Sequence, residues 1–255
     1  MKLIRTVVVF DRGGLIESEQ WSRMHEAISI AVQKIVHPPG SNRFVIRRKV
    51  PKLDARGKAS KQWVRNGVVP IKQQFLANLT GAGWRAEMPV GLGREALAQA
   101  EPTARTALKE YPSKRDFAWD DADWSSVLRE QLGDFDFYSE LGGGMRCVIE
   151  WETGNISSSH RSMNKLCLVT LAGLIDIGVV ILPSRQLYPH LTDRIGNWEE
   201  LSPYLALWHH VGQSVKRGLL AVTVVEHDEL TDDTAVPFIS QGIDGRSAEG
   251  ASKLL

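Results

Sequence analysis

Met145-Arg146-Cys147-Val148-Ile149-Glu150-Trp151-Glu152-Thr153-Gly154-Asn155 alternates in a way that predicts a strand over 145–152. Successive strand side chains point to opposite faces, so Cys147, Ile149 and Trp151 share one face, and Val148, Glu150 and Glu152 share the other. The first face is apolar and demands a core. The second carries two carboxylates about 7 Å apart, two residues at roughly 3.3 Å each. Just upstream, Gly142-Gly143-Gly144 forms a turn behind a strand over 134–139, and this antiparallel neighbour brings Asp134 and Asp136 near the acidic face.

Outward from this hairpin, the pattern alternates between helix and strand. Downstream, Ser157-Ser158-Ser159 supplies N-cap hydroxyls for a helix over 159–174. An apolar, β-branched run at 177–182 reads as a buried strand ended by Pro183, followed by a helix near 197–210 and a strand at 219–226. Upstream, residues 4–10 read as a strand. Residues 18–36 read as an amphipathic helix with Trp21, Met24, Ile28, Ala31 or Val32, and Ile35 on one stripe, stopped by His37-Pro38-Pro39-Gly40. Further helices are expected over 69–83, with Phe75, Leu76 and Leu79 inward, and over 122–132. The whole predicts an α/β fold, a mixed β-sheet flanked by helices on both faces, in a single domain spanning 1–255.

Composition narrows the classes. With 43% apolar residues and eight tryptophans, 255 residues can bury a sizeable core. The formal net charge of +1 decides little, since a neutral protein can still be basic on one face. Two cysteines, Cys147 and Cys167, are too few for a disulfide framework or a zinc site, so a reducing, cytoplasmic setting is expected. No stretch approaches membrane-spanning length, and the N-terminal apolar run suits a strand better than a signal peptide.

Charge is unevenly placed. Residues 43–65 hold nine basic residues against the single acid Asp54. Residues 44–50 look extended, but periodicity fades after Pro51, which predicts a mobile basic loop: either a solvated linker or an arm contacting phosphates. The polar, Gly-rich tail 228–255, including Arg246, is expected to be flexible.

The acids carry the chemistry. Three clustered carboxylates on rigid strands repel unless protons or a cation compensate. Mg²⁺ takes oxygen ligands, usually one or two carboxylates with substrate phosphate and water. Such an ion stabilises a pentavalent phosphate and activates water, and the remaining carboxylate can hold or deprotonate that water. Taken alone, the Asp-x(13)-Glu-x-Glu pattern also describes a solvated strand face.

The linked blocks go further. Asp136-Phe137-Tyr138, then Cys147 through Asn155, then Ser157 onward resemble the core of the BglII/BamHI group of type II restriction endonucleases, within the PD-(D/E)XK nuclease superfamily. In that group Glu or Gln replaces the usual lysine, and Glu152 stands at that position. Upstream, Asn66-Gly67-Val68-Val69-Pro70-Ile71-Lys72 through Gly83-Trp84 is similar to the helix preceding the catalytic core. Downstream, Ile181 to Arg185 and Leu191 to Asn197 are similar to the strand and helix after it. The resemblance spans roughly 65–225.

It implies a restriction-endonuclease-like fold and a Mg²⁺-dependent endonuclease acting on double-stranded DNA. Asp136 and Glu150 would ligate the metal with the Trp151 carbonyl, and Glu152 would position the attacking water. Asp134 rivals Asp136, and Glu87 is near the place where the group sometimes adds an acid. Asn155, Ser157 and Ser158 match positions that approach the major groove, although a Gly-Asn turn and a Ser cap explain them without DNA. His160, Arg161 and Lys165 suit phosphate contact or an ordinary surface. A homodimer, a palindromic target, 5′-phosphate ends and a separate cognate methyltransferase are further implications. The rival readings are a non-catalytic DNA-binding protein on the same scaffold and a nuclease acting on RNA or branched DNA. Asp11, the Gly91-Leu92-Gly93 stretch and the adjacent His209 and His210 lack the context that a phosphotransfer, dinucleotide or metal site needs.

Overall fold

The computed structural model describes residues 1–80, 83–88, 132–192 and 195–240. The helix expected over 122–132 falls outside them except for its last residue, as do residues 90–120 and Arg246. Six strands form one sheet in the order β1-β9-β8-β7-β6-β5. These are β1 (Lys2–Arg12), β5 (Arg85–Met88), β6 (Phe135–Leu141), β7 (Met145–Trp151), β8 (Ile177–Pro183) and β9 (Gly218–Glu226). The β7, β8 and β9 strands run parallel, while β5–β6, β6–β7 and β1–β9 pair antiparallel, so the sheet is mixed as expected.

Helices cover both faces. On one side, α1 (Glu19–Gln33) and α2 (Val69–Thr80) press Met24, Ile28, Ile71, Phe75 and Leu79 onto Ile149, Val179 and Ala221. On the other, α3 (Ile156–Leu171) and α5 (Leu205–Gly212) press Met163, Leu166 and Trp208 onto Val148, Val180 and Val222. Alternating residues of β8 thus enter opposite cores, which is why its run is apolar throughout. No helix of the described residues is long and apolar enough to cross a membrane.

Several boundaries move for physical reasons. Asn155, and not the serine run, caps α3, its side chain accepting from Ser158 N at 3.2 Å, so the helix starts three residues early. The helix expected near 197–210 is broken at Ser202-Pro203-Tyr204 into α4 (Trp198–Leu201), a 3₁₀ turn and α5. The region expected as a basic loop instead contains β2 (Val45–Arg47) and an antiparallel hairpin of β3 (Val50–Leu53) with β4 (Ala59–Val64). The tail, expected to be flexible from 228, forms defined structure within its described residues 228–240. β10 (Glu229–Thr231) pairs with β2, and Ile239 is buried.

Candidate active site

The β6–β7 hairpin sets the geometry. Phe137 pairs with Ile149, so continuing the ladder by one residue places Asp136 opposite Glu150. On the other edge, β5 pairs Ala86 with Phe137 and Met88 with Phe135, which places Glu87 opposite Asp136. Three acids therefore lie in a row across three adjacent strands. Glu87 has a left-handed backbone, φ 52°, which a side chain this long adopts only under constraint. It is exposed and lies outside the cavity that the other acids line.

That cavity has a volume of about 340 Å³ and is lined by Asp134, Asp136, Glu150, Trp151 and Glu152 from the hairpin, Lys72 from α2, and Ser158, Arg161 and Lys165 from α3. Asp136 is pinned from two sides: Oδ1 accepts from Lys72 Nζ at 2.6 Å and Oδ2 accepts from Trp151 N at 2.9 Å. Glu150 is 5% exposed and its Oε1 lies 2.7 Å from Lys165 Nζ. Lys165 also donates to the Asp134 carbonyl at 2.9 Å. Glu152 is 7% exposed, and its Oε2 is buried without a hydrogen-bond partner.

Burial controls the electrostatics. It pushes the Glu152 carboxyl up to about 7, with Asp136 adding to the rise and the Ser159 hydroxyl and Arg161 opposing it. Burial also raises Glu150, helped by Asp136, while the Lys165 ammonium pulls it back. Both thiols, Cys147 and Cys167, are pushed up to about 12 by burial, which leaves them as unreactive core residues.

The placement of the predicted residues is uneven. Asp136, Glu150, Trp151 and Glu152 line one cavity. Asp134 lines the same cavity but reaches Lys165 through its backbone. The tight three-carboxylate cluster is not formed: among the described residues no three acids, histidines or cysteines stand at metal-holding spacing. Lys72 and Lys165 instead draw Asp136 and Glu150 into separate ion pairs. The donor set still suits a hard divalent cation, because two facing carboxylates leave room for water and phosphate, and a buried, unpartnered Glu152 oxygen favours a positive neighbour.

The nucleic-acid candidates divide. Arg161 is exposed at the cavity and Ser158 lines it, whereas Ser157 is exposed outside it. Asn155 is committed to capping α3. His160 packs against Tyr204 and Trp208, with ring centroids 4.5 and 5.5 Å away, on the side of α3 that meets α5. Lys165, expected at the surface, is 5% exposed and faces Glu150, because positions 162, 165, 166 and 169 form the inner stripe of α3. That spacing was available in the sequence. Lys72 carried no comparable signal, since only the tertiary fold brings α2 against β6.

The glycines around the site have steric reasons. A Cβ at Gly154 would collide with the Ser158 side chain, and one at Gly196 with Ser159. Gly196 N donates to the Gly154 carbonyl at 3.2 Å, so the segment at 195–197 buttresses the start of α3.

Comparison with known proteins gives the family of the chain. The profile of the family described as Restriction endonuclease BamHI matches residues 1–246. The type II restriction enzyme OkrAI of Oceanobacter kriegii is 34% identical over 222 residues, covering 86% of this chain and 87% of that protein. The type II restriction enzyme BamHI of Bacillus amyloliquefaciens is 39% identical over 128 residues, 49% of this chain and 56% of that one. The crystal structure of restriction endonuclease BglII complexed with a DNA 16-mer aligns with 92% of this chain and 86% of that one, with a TM-score of 0.49 and 10% identity.

Proposed function

Because the chain belongs to the BamHI family of type II restriction endonucleases, we propose that the cavity between β6, β7 and α3 is where it hydrolyses double-stranded DNA, with Mg²⁺ as cofactor. One observation carries the assignment. Asp136 and Glu150 face each other on adjacent strands, and the buried Glu152 shares their cavity with two lysines. Buried acids at this density are costly to keep without a positively charged partner or a reaction that uses them.

The roles follow from position. Asp136 and Glu150, with the Trp151 carbonyl, would hold the divalent cation. When bound, that cation polarises the scissile phosphate and lowers the pKa of the attacking water. Glu152, raised to about 7, orients this water and accepts its proton at Oε2. Lys72 and Lys165 line the same cavity, paired with Asp136 and Glu150, and their positive charges would lie near the phosphate oxygens, where negative charge grows during the displacement. Ser158 and Arg161 at the rim face the approaching duplex.

Cutting both strands alike requires two such cavities. A twofold homodimer supplies them and matches a palindromic target, leaving 5′-phosphate ends. A cognate methyltransferase would protect the same site, and the two unreactive thiols suit a reducing cytoplasm.

The test is digestion of a large DNA of known sequence by the purified protein in Mg²⁺ or in EDTA, with the ends sequenced. Discrete ends sharing one palindrome, formed only with Mg²⁺, are expected. Intact DNA, or random ends independent of the metal, would overturn the proposal.

A further inference from the structure

The hairpin formed by β3 and β4 has no part in the fold that the core explains. None of residues 50–64 enters either hydrophobic core, and a two-stranded hairpin alone is marginal in water. It is nevertheless built carefully. Asp54 Oδ1 accepts from Arg56 N at 2.8 Å and Lys58 N at 2.9 Å, Gly57 turns the chain with φ 73°, and Lys49 Nζ sits 4.8 Å from the centroid of the Trp63 ring. Its base is fixed by Asn66, 0% exposed, whose amide donates to the Arg47 and His190 carbonyls and accepts from Ile239 N.

Its charge is one-sided. From Lys49 to Arg65 there are six basic residues and one acid, in a chain whose formal net charge is +1. Among the described residues, Lys52, Arg56, Lys58 and Lys61 make no ion pair, and the last three are exposed. The neighbouring Arg43 and Arg48, by contrast, are paired with Glu229 and Asp232. The hairpin also leads within a few residues into α2, whose Lys72 reaches Asp136 in the cutting cavity.

We propose that this hairpin is an accessory DNA arm whose unpaired lysines and arginine neutralise backbone phosphates beyond the base pairs seated at the cavity. The proposal rests on the DNA-cleaving reading of that cavity. Phosphate contacts release condensed counterions, so each one adds about 0.9 to the slope of log affinity against log salt. It carries no base information, so the arm lengthens the footprint without altering the sequence cut.

The test is the triple variant R56Q/K58Q/K61Q, measured by fluorescence anisotropy in EDTA on a long duplex containing the mapped site and on one trimmed to that site. The expected result on the long duplex is a salt slope shallower by about two to three, with roughly ten- to hundredfold weaker binding at physiological salt. The gap between variant and wild type narrows on the trimmed duplex. Equal slopes and affinities on the long duplex, with the variant melting as wild type does, would overturn the arm while leaving the cutting site standing. A wild-type protein that neither binds nor cuts any duplex would remove both readings.

Discussion

Lys165→Met tests how the site holds its buried charge. The Lys165 and Glu150 side chains are each 6% exposed and lie 2.7 Å apart, so removing the ammonium leaves a carboxylate in the interior without its counter-charge. Breaking one side of such a pair costs about 3–5 kcal/mol, and the Asp134 carbonyl loses its donor as well. The loss depends on pH with a definite sign. Burial already raises Glu150 above its ordinary value, and without Lys165 it rises further. The folded state then holds a proton that the unfolded state has released. Stability of the variant therefore falls as pH climbs from about 4.5 through the new folded value. Urea unfolding in EDTA at several pH values between 5 and 9 reads this directly. A small deficit is expected at the acid end and the full one at the alkaline end. Glu150→Gln combined with Lys165→Met should recover most of the loss, since no charge remains to be desolvated. A deficit below about 1 kcal/mol at every pH, or additive single losses in the double variant, would refute the buried pair.

Three further outcomes follow from the same structure. Glu152 is raised to about 7 from 4.5, so the cutting rate should climb about tenfold per pH unit below 7 and then level off, and Glu152→Gln should lose that slope in steady-state kinetics. The same shift makes Glu152 a destabilising group above its unfolded value, so Glu152→Gln in EDTA should be more stable than wild type by up to about 3 kcal/mol at pH 8 and by less than about 1 kcal/mol at pH 5. Asn66→Ala should cost about 3 kcal/mol in denaturant unfolding, because three buried hydrogen bonds joining the chain near 47, 190 and 239 are lost together.

The parts of the fold legible in the sequence were those that a single period governs. Alternation placed Cys147, Ile149 and Trp151 against one core and Glu150 opposite them. The stripe Trp21, Met24, Ile28 and Val32 gave α1 its buried face. The β3–β4 hairpin escaped because no apolar stripe supports it: an Asx-capped turn and a Lys–Trp stack hold its shape. The end of the chain looked flexible by composition, yet Ile239 is fixed by hydrogen bonds to Asn66 and Gly67, partners that no local pattern reveals. Within the site, the acids were readable from spacing and resemblance. Lys165 was assigned to phosphate contact or the surface although the inner-stripe spacing of α3 buries it, and Lys72 was not assigned because α2 meets Asp136 through a contact 64 residues apart in sequence.

The central claim is that Glu150 and Asp136 act on the DNA strand. The most direct measurement is cleavage and gel-shift binding of one duplex, in parallel, by wild type and Glu150→Ala. Cutting in Mg²⁺ should fall at least about a thousandfold while the shifted complex persists. A Glu150→Ala protein that cuts at the wild-type rate would contradict the account.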